Sequence, residues 1–204
     1  MNAEQLSLEG FGAALASSQP APGGGGAAAL VGSVAAALVS MVGNLTVGKP
    51  KYAAFEADLE KITAAAERLR KQLLAGIDRD AEAFLPLSKA YGLTRDTEDR
   101  EKILEEALVN AAQAPLAVME LCRDTAALLR EIAGKGSKLV LSDVICGAWF
   151  AEAALQASVT NVKINTGSMH QAENRTGLEA RAAALLQEGL ELCSEARTAA
   201  AQRL

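Results

Sequence analysis

Asp80 interrupts an apolar stripe at a position where a helix would bury it. Between Tyr52 and Tyr91, apolar residues recur at Leu59, Ile62, Ala66, Leu69, Leu73, Ile77, Phe84, Leu87 and Tyr91. The steps are three or four residues throughout, once Asp80 is counted between Ile77 and Phe84. A carboxylate on a core-facing stripe loses solvation, so its pKa rises toward the range useful for giving and taking protons near neutrality. The competing reading is an aspartate satisfied by a lysine, an arginine or a helix end. Asp78 and Glu82 fall off the stripe and are expected in solvent. Pro86 removes the donor to the Glu82 carbonyl, and the resulting kink either opens space for a ligand or accommodates packing.

A second feature is the run PAPGGGGAAALVG, residues 20–32. Pro22, Gly23, Gly24 and Gly25 precede an apolar helix and would leave backbone N–H groups unobstructed, an edge suited to carboxylates, phosphates or polarised carbonyls. The alternative is a flexible connector or a tight lead-in to a crowded core. A P-loop is excluded because alanines, not Lys-Ser/Thr, follow the glycines. The accidental GxGxxA match of Gly23, Gly25 and Ala28 has no strand before it. In SVTNVKIN, Asn161 and Asn165 lie four apart on one helix face with Ser158 aligned, a pair of amides able to hydrogen-bond a heteroaromatic ligand or to form a solvated face. His170 lies in a polar loop and is assigned no chemistry. Cys122, Cys146 and Cys193 read as small core residues.

The elements that must hold these groups are helices. The pattern predicts seven helical stretches and no strand: Glu4 to Ala16, Gly25 to Val47, Tyr52 to Tyr91, a stretch capped by Thr97 and reaching Ala114, a fifth opened or kinked by Pro115, a sixth capped by Ser142 or Asp143 and reaching Ile164, and Arg175 to Arg203. Gly92 is expected to close the third with a left-handed cap. No repeat or linker divides residues 1–204, so the expectation is one all-α, single-domain bundle of long helices around a nearly apolar central helix.

Composition narrows the function. Of 204 residues half are apolar, only 3% are aromatic and the net charge is −5, with no lysine/arginine block, which argues against nucleic acid as a partner. A single histidine and scattered cysteines argue against an ordinary zinc site, so no metal is expected. The thiol pattern and the absence of a signal-like start lead to an expected cytoplasmic location. Gly23 to Gly48 carries no charge and is long enough to cross a bilayer. Its alanine, glycine and serine content and the lack of flanking aromatics favour instead a helix buried on every face. A small domain rarely surrounds a helix so fully, so a homo-oligomer with this helix near its interface, aided by small residues such as Gly32, Ala36 and Gly43, is expected, and no membrane.

Taken together, PAPGGGGAAALVGSVAAALVSMVGNLTVGKPKY, IDRDAEAF, LSDV and NVKIN resemble, in order and spacing, the cyclodeaminase/cyclohydrolase family of folate enzymes. That family comprises the C-terminal domain of formiminotransferase-cyclodeaminase and stand-alone bacterial proteins. The resemblance spans Pro20 to Asn165 and implies an all-helical homodimer or larger assembly without a cofactor, acting on the one-carbon bridge between N5 and N10 of tetrahydrofolate. Members either hydrolyse 5,10-methenyltetrahydrofolate to 10-formyltetrahydrofolate or expel ammonia from 5-formiminotetrahydrofolate. The family's catalytic aspartate falls on Asp80, and Asp143 in LSDV joins Asn161, Asn165 and the glycine edge as implied substrate contacts. Lys49 and Lys51 would bind the acidic tail, whether or not it is polyglutamylated, or are simply solvated helix-end charges. Two departures stand out: Gly26 replaces a serine usual in the family, and LTR replaces LPK after the third helix. With no formiminotransferase domain in the chain, methenyltetrahydrofolate cyclohydrolase is the leading expectation, formimidoyltetrahydrofolate cyclodeaminase the second, and a non-catalytic ligand- or protein-binding bundle the third.

Overall fold

The computed structural model describes residues 5–204, so the expected start of the first helix at Glu4 lies outside the described residues. Six α-helices follow one another: α1 (Leu8–Leu15), α2 (Gly24–Asn44), α3 (Glu56–Tyr91), α4 (Arg100–Lys135), α5 (Leu141–Thr166) and α6 (Ala172–Ala201). Short 3-10 turns, Pro50–Phe55 and Lys138–Val140, precede α3 and α5. Among the described residues there is no strand. The all-α single-domain expectation is met, with two long antiparallel helices of 36 residues each, α3 and α4.

The seven expected stretches are six because α4 runs unbroken through Pro115. Proline cannot donate to the Ala111 carbonyl, but Ala111, Ala112, Pro115, Leu116 and Met119 are all buried on one face. That packing outweighs one missing hydrogen bond. Capping also departs from expectation. Gly92 closes α3 in a right-handed conformation, and Asp99, with φ of 57°, rather than Thr97, precedes α4. Ser142 and Asp143 lie inside the first turn of α5, which begins one residue earlier. The turn after α2 does demand a glycine: Gly48 sits at φ +78°, a left-handed conformation that side chains resist.

Helix α2 packs against α3 on one side and α5 on the other, with α4 behind. Its small residues work within the chain. A Cβ at Gly32 would come 2.7 Å from Cys122 Sγ of α4, and one at Gly43 would run into the Thr63 hydroxyl of α3. One apolar core, with Val39, Val42, Leu59, Leu129, Ile132, Leu141 and Val144, fills the end where α2 finishes. A second, with Ala29, Leu73, Ile77, Leu116, Met119 and Leu155, fills the end where α2 starts. At the first end the Thr46 hydroxyl accepts from the Ser137 N–H (2.9 Å) and the Tyr52 hydroxyl from the Lys138 N–H (3.1 Å), tying the start of α5 to the finish of α2. The two helices are therefore antiparallel neighbours. By length and hydropathy both α2 and the Lys138–Thr166 segment are apolar enough to cross a membrane, but most of α2 is buried inside the bundle.

Candidate active site

Asp80 projects from the middle of α3 onto the first turn of α2. Its carboxylate lies against the Cα of Gly25 and accepts the backbone N–H of Gly26. Helix α2 has no side-chain cap and no acidic residue in its own first turn. Asp80 therefore occupies the positive end of that helix from outside. It has no ion-pair partner among the described residues. The carboxylate is half-buried. Burial pushes its pKa above the usual aspartate value, against the smaller opposing pull of the Gly26 N–H.

These positions explain the glycine run. A Cβ at Gly25 would fall within 2.6 Å of Asp80 Oδ2 and closer still to Oδ1, so no other residue lets the carboxylate reach the helix start. One at Gly24 would meet the Asn161 amide at 3.5 Å. The helix-end N–H that a ligand was expected to use is thus engaged at Gly26 by the aspartate. Gly26 itself is packed between Ile77 and Pro22, where a Cβ would sit 3.3 Å from each. The departure from serine leaves the contact to Asp80 intact, because that contact is made by backbone.

A cleft of about 220 Å³ opens at this point, lined by Gly23, Gly24, Gly25, Asp80, Asn161 and Asn165 together with Pro20, Ala21, Phe84, Ala111 and Ile164. The Asn161 amide donates to the Ala157 carbonyl (2.8 Å), which fixes its orientation beside Gly24. Pro115 leaves the Ala111 carbonyl without its helical donor, so a backbone acceptor remains at a residue of the cleft wall. Phe84, which the sequence places on the Asp80 stripe, and Ile164, which lies between the two asparagines, join the site without having been assigned to it from the sequence. Pro22 is buried behind Gly26 rather than lining the cleft. Asp78 is half-buried and Glu82 exposed, and Tyr91 is half exposed rather than on the core stripe.

Lys49, Lys51 and Asp143 are not brought to this cleft within one chain. They lie beyond the far end of α2, whose 21 residues span about 30 Å. Both lysines are exposed, and Lys51 stacks 5.8 Å from the Tyr52 ring centre.

A larger cleft, about 830 Å³, lies farther out on the same end of the bundle, lined by Arg95, Thr97, Asp99, Arg100, Glu101, Lys102, Glu105, His170 and Gln171. Its one buried carboxylate is already saturated. Glu105 accepts the His170 N–H (2.8 Å), the Gln171 N–H (3.3 Å) and the Asn174 amide (3.1 Å), an arrangement that ties the segment leading into α6 to α4. Asp80 instead marks the smaller cleft as the one with a partly buried carboxylate that has no ion-pair partner among the described residues. Among the described residues no group of three or more His, Cys, Asp and Glu gathers to hold a metal ion.

A helical bundle that lays an unpaired carboxylate on a glycine helix start, beside two amides, belongs to a definite class. Residues 7–184 match the family described as Formiminotransferase-cyclodeaminase, and this chain is a member of that family. It is 42% identical to the methenyltetrahydrofolate cyclohydrolase of Methylorubrum extorquens over 87% of this chain and 91% of that protein. It is 32% identical to the formimidoyltransferase-cyclodeaminase of Mus musculus over 89% of this chain, which spans only 34% of that longer protein. The crystal structure of formiminotetrahydrofolate cyclodeaminase from Thermotoga maritima superposes with a TM-score of 0.91, at 30% identity, over 98% of both chains.

Proposed function

We propose that this protein is a methenyltetrahydrofolate cyclohydrolase in which Asp80 handles the protons. The observation that carries the reading is the Asp80 carboxylate, half-buried and without a cationic partner, in a cleft walled by Asn161 and Asn165. The 42% identical cyclohydrolase supports the choice of reaction. The methenyl carbon is cationic and bonded to N5 and N10. Water adds to it, and Asp80 takes one proton from that water. The tetrahedral adduct then collapses: the carbon–N5 bond breaks, N5 receives the proton from Asp80, and the hydroxyl proton leaves as the N10 formyl group forms. The negative charge of Asp80 also stabilises the cationic substrate. Loss of methenyltetrahydrofolate, followed by absorbance for wild type and Asp80→Asn, tests this. A wild type that does not accelerate hydrolysis removes the activity, and an equally active Asp80→Asn removes the mechanism.

The Thermotoga structure at 30% identity favours a second reading, formiminotetrahydrofolate cyclodeaminase. There N10 attacks the carbon of the protonated formimino group, Asp80 carries the N10 proton to the departing nitrogen, and ammonia leaves as the cationic methenyl bridge forms. Ammonia released from 5-formiminotetrahydrofolate decides between the two.

We further propose that the protein works as a homodimer joined through α2 and α5. The outward positions of α2, Leu30, Val34, Leu38 and Met41, and the C-cap Leu45 include no charge. Neither do those of α5 from Ser142 through Cys146, Trp149, Phe150 and Ala153 to Thr160. The α2 series steps by three and four residues, the spacing of a helix packing seam, and the α5 series keeps to one helix face with Trp149 and Phe150 side by side. Trp149 is 53% exposed in the single chain, and an uncharged surface that leaves a tryptophan and large aliphatic side chains in solvent supports this reading. Sedimentation velocity should give twice the 21.1 kDa chain mass, and partition into a membrane fraction would point to a bilayer as the occupant instead.

A further inference from the structure

Pro115 of α4 sits at the level of Asp80 of α3. The two helices run antiparallel, and Gly76 of α3 faces Val118 of α4, where an added Cβ would lie 3.6 Å from Val118 Cγ2. Four residues on along α3 and four back along α4 pair Asp80 with Ala114, the neighbour of Pro115. Ala111, one turn earlier in α4, lines the Asp80 cleft. Its carbonyl is the one that Pro115 deprives of an N–H, and a proline ring crowds such a carbonyl off the helical line. Helix carbonyls point toward the C-terminal end of their helix. This one is therefore directed along α4 toward the level of Asp80.

Ala111 is 6% exposed, so its carbonyl is shielded from bulk water and needs another donor. Among the described residues no side chain supplies one. The side chains that donate to helix carbonyls nearby serve others: Asn161 reaches Ala157, Thr160 reaches Gln156 and Thr125 reaches Leu121. With its Nδ2 held on Ala157, Asn161 keeps Oδ1 as an acceptor without a partner among the described residues. The α4 and α5 walls of the cleft thus present two acceptors, the Ala111 carbonyl and Asn161 Oδ1, beside the Asn165 amide, which can donate or accept.

The cleft volume of about 220 Å³ falls below the roughly 300–1,000 Å³ that encloses a drug-sized ligand. It suits a single ring system, with the rest of a folate outside. The pyrimidine ring of a reduced pterin carries a 2-amino group, a donor, on the side far from the N5–N10 bridge. We propose, on the folate reading above, that the Ala111 carbonyl freed by Pro115 accepts this 2-amino group and so sets the ring with its one-carbon bridge at Asp80. Pro115 is then a specificity-determining residue that touches no reacting atom. A ring of the same shape without the amino donor leaves the acceptor buried and unpaired, and is rejected.

A pair of ligands tests this arrangement. 5-Formyltetrahydrofolate has no methenyl bridge to hydrolyse, and its 2-desamino-2-methyl derivative keeps the ring shape without the donor. In calorimetry, wild type should bind the derivative about tenfold or more weakly. Pro115→Ala supplies the N–H that closes the helix bond to Ala111. That variant should bind the two ligands within about twofold of each other, both near the weaker wild-type affinity. In turnover of the methenyl compound, its loss in kcat/KM should fall mainly on KM. A residue that only shapes the fold would weaken both ligands alike and keep the preference.

Equal binding of the two ligands to wild type overturns the proposal, and so does a preference that survives in Pro115→Ala. The wild-type comparison needs no variant, so it decides alone if circular dichroism shows that Pro115→Ala does not fold. Where wild type hydrolyses the methenyl compound but binds both ligands equally, the acceptor role falls and the folate reading stands. Where it neither hydrolyses that compound nor binds either ligand, both fall.

Discussion

The carboxylate of Asp80 and the Cα of Gly25 touch across the gap between α3 and α2, leaving no room for a side chain at the glycine. Gly25→Ala must therefore displace the group proposed to move the proton. The variant should fold and lose about 10²-fold or more in kcat, the range of a general acid–base group. Gly134→Ala in α4, where an added Cβ meets nothing within 4 Å, should retain full rate in the same assay.

Asp80 should also make the protein less stable when ionised. Its folded pKa lies above 3.8 because burial disfavours the charge. Its contribution is favourable below the unfolded value and is lost as pH rises through the folded one. Asp80→Asn is expected to melt higher than wild type at pH 7, with the difference vanishing below about pH 4. In activity, log kcat/KM for hydrolysis should rise with pH through a pKa higher than that of a free aspartate.

Glu105 has the opposite sign. Burial works against its charge, but the His170 and Gln171 N–H groups and the Asn174 amide outweigh it and leave the pKa below 4.5. Its contribution is present above the unfolded value and disappears as pH falls through the folded one. Glu105→Ala strands those donors at the start of α6 and should cost about 1–3 kcal/mol in denaturant melts at pH 7, with the loss shrinking in acid.

Overpacking should be felt at Gly32, which faces Cys122 and Leu73. Gly32→Ala is expected to destabilise by about 1–3 kcal/mol, measured by urea unfolding, with kcat little changed.

The thiols test the proposed subunit contact. Burial pushes Cys122 and Cys193 up to about 12, so neither should react with maleimide in the folded chain. Cys146 is exposed on the α5 face, contrary to its expected core position. It should label when dilution yields monomers and be protected at concentrations where the dimer forms.

The Asp80 stripe could be read because helical spacing is a local property, and a charge breaking a run of seven-residue intervals is visible without a fold. The glycines were visible too, but their role was not. They were expected either to offer a ligand edge or to serve as a connector or tight lead-in, and Gly25 in addition makes room for an aspartate 55 residues later in the chain. Pro115 misled because its local effect is to break a helix, while the burial that keeps α4 whole comes from residues on other elements. Lys49, Lys51 and Asp143 were grouped with Asp80 by motif order, but α2 separates them by its full length, and sequence order contains no such distance. Ser142, Asp143 and Thr97 have the chemistry of caps, but the 3-10 turn and the left-handed Asp99 set where α5 and α4 begin.

Helix α2 has no acid of its own at its start, and the one that serves it comes from α3. Grafting this reaction centre onto another scaffold therefore means moving a pair of elements together: a carboxylate alone would arrive without its amide cradle, and a glycine-led helix alone would arrive without its counter-charge.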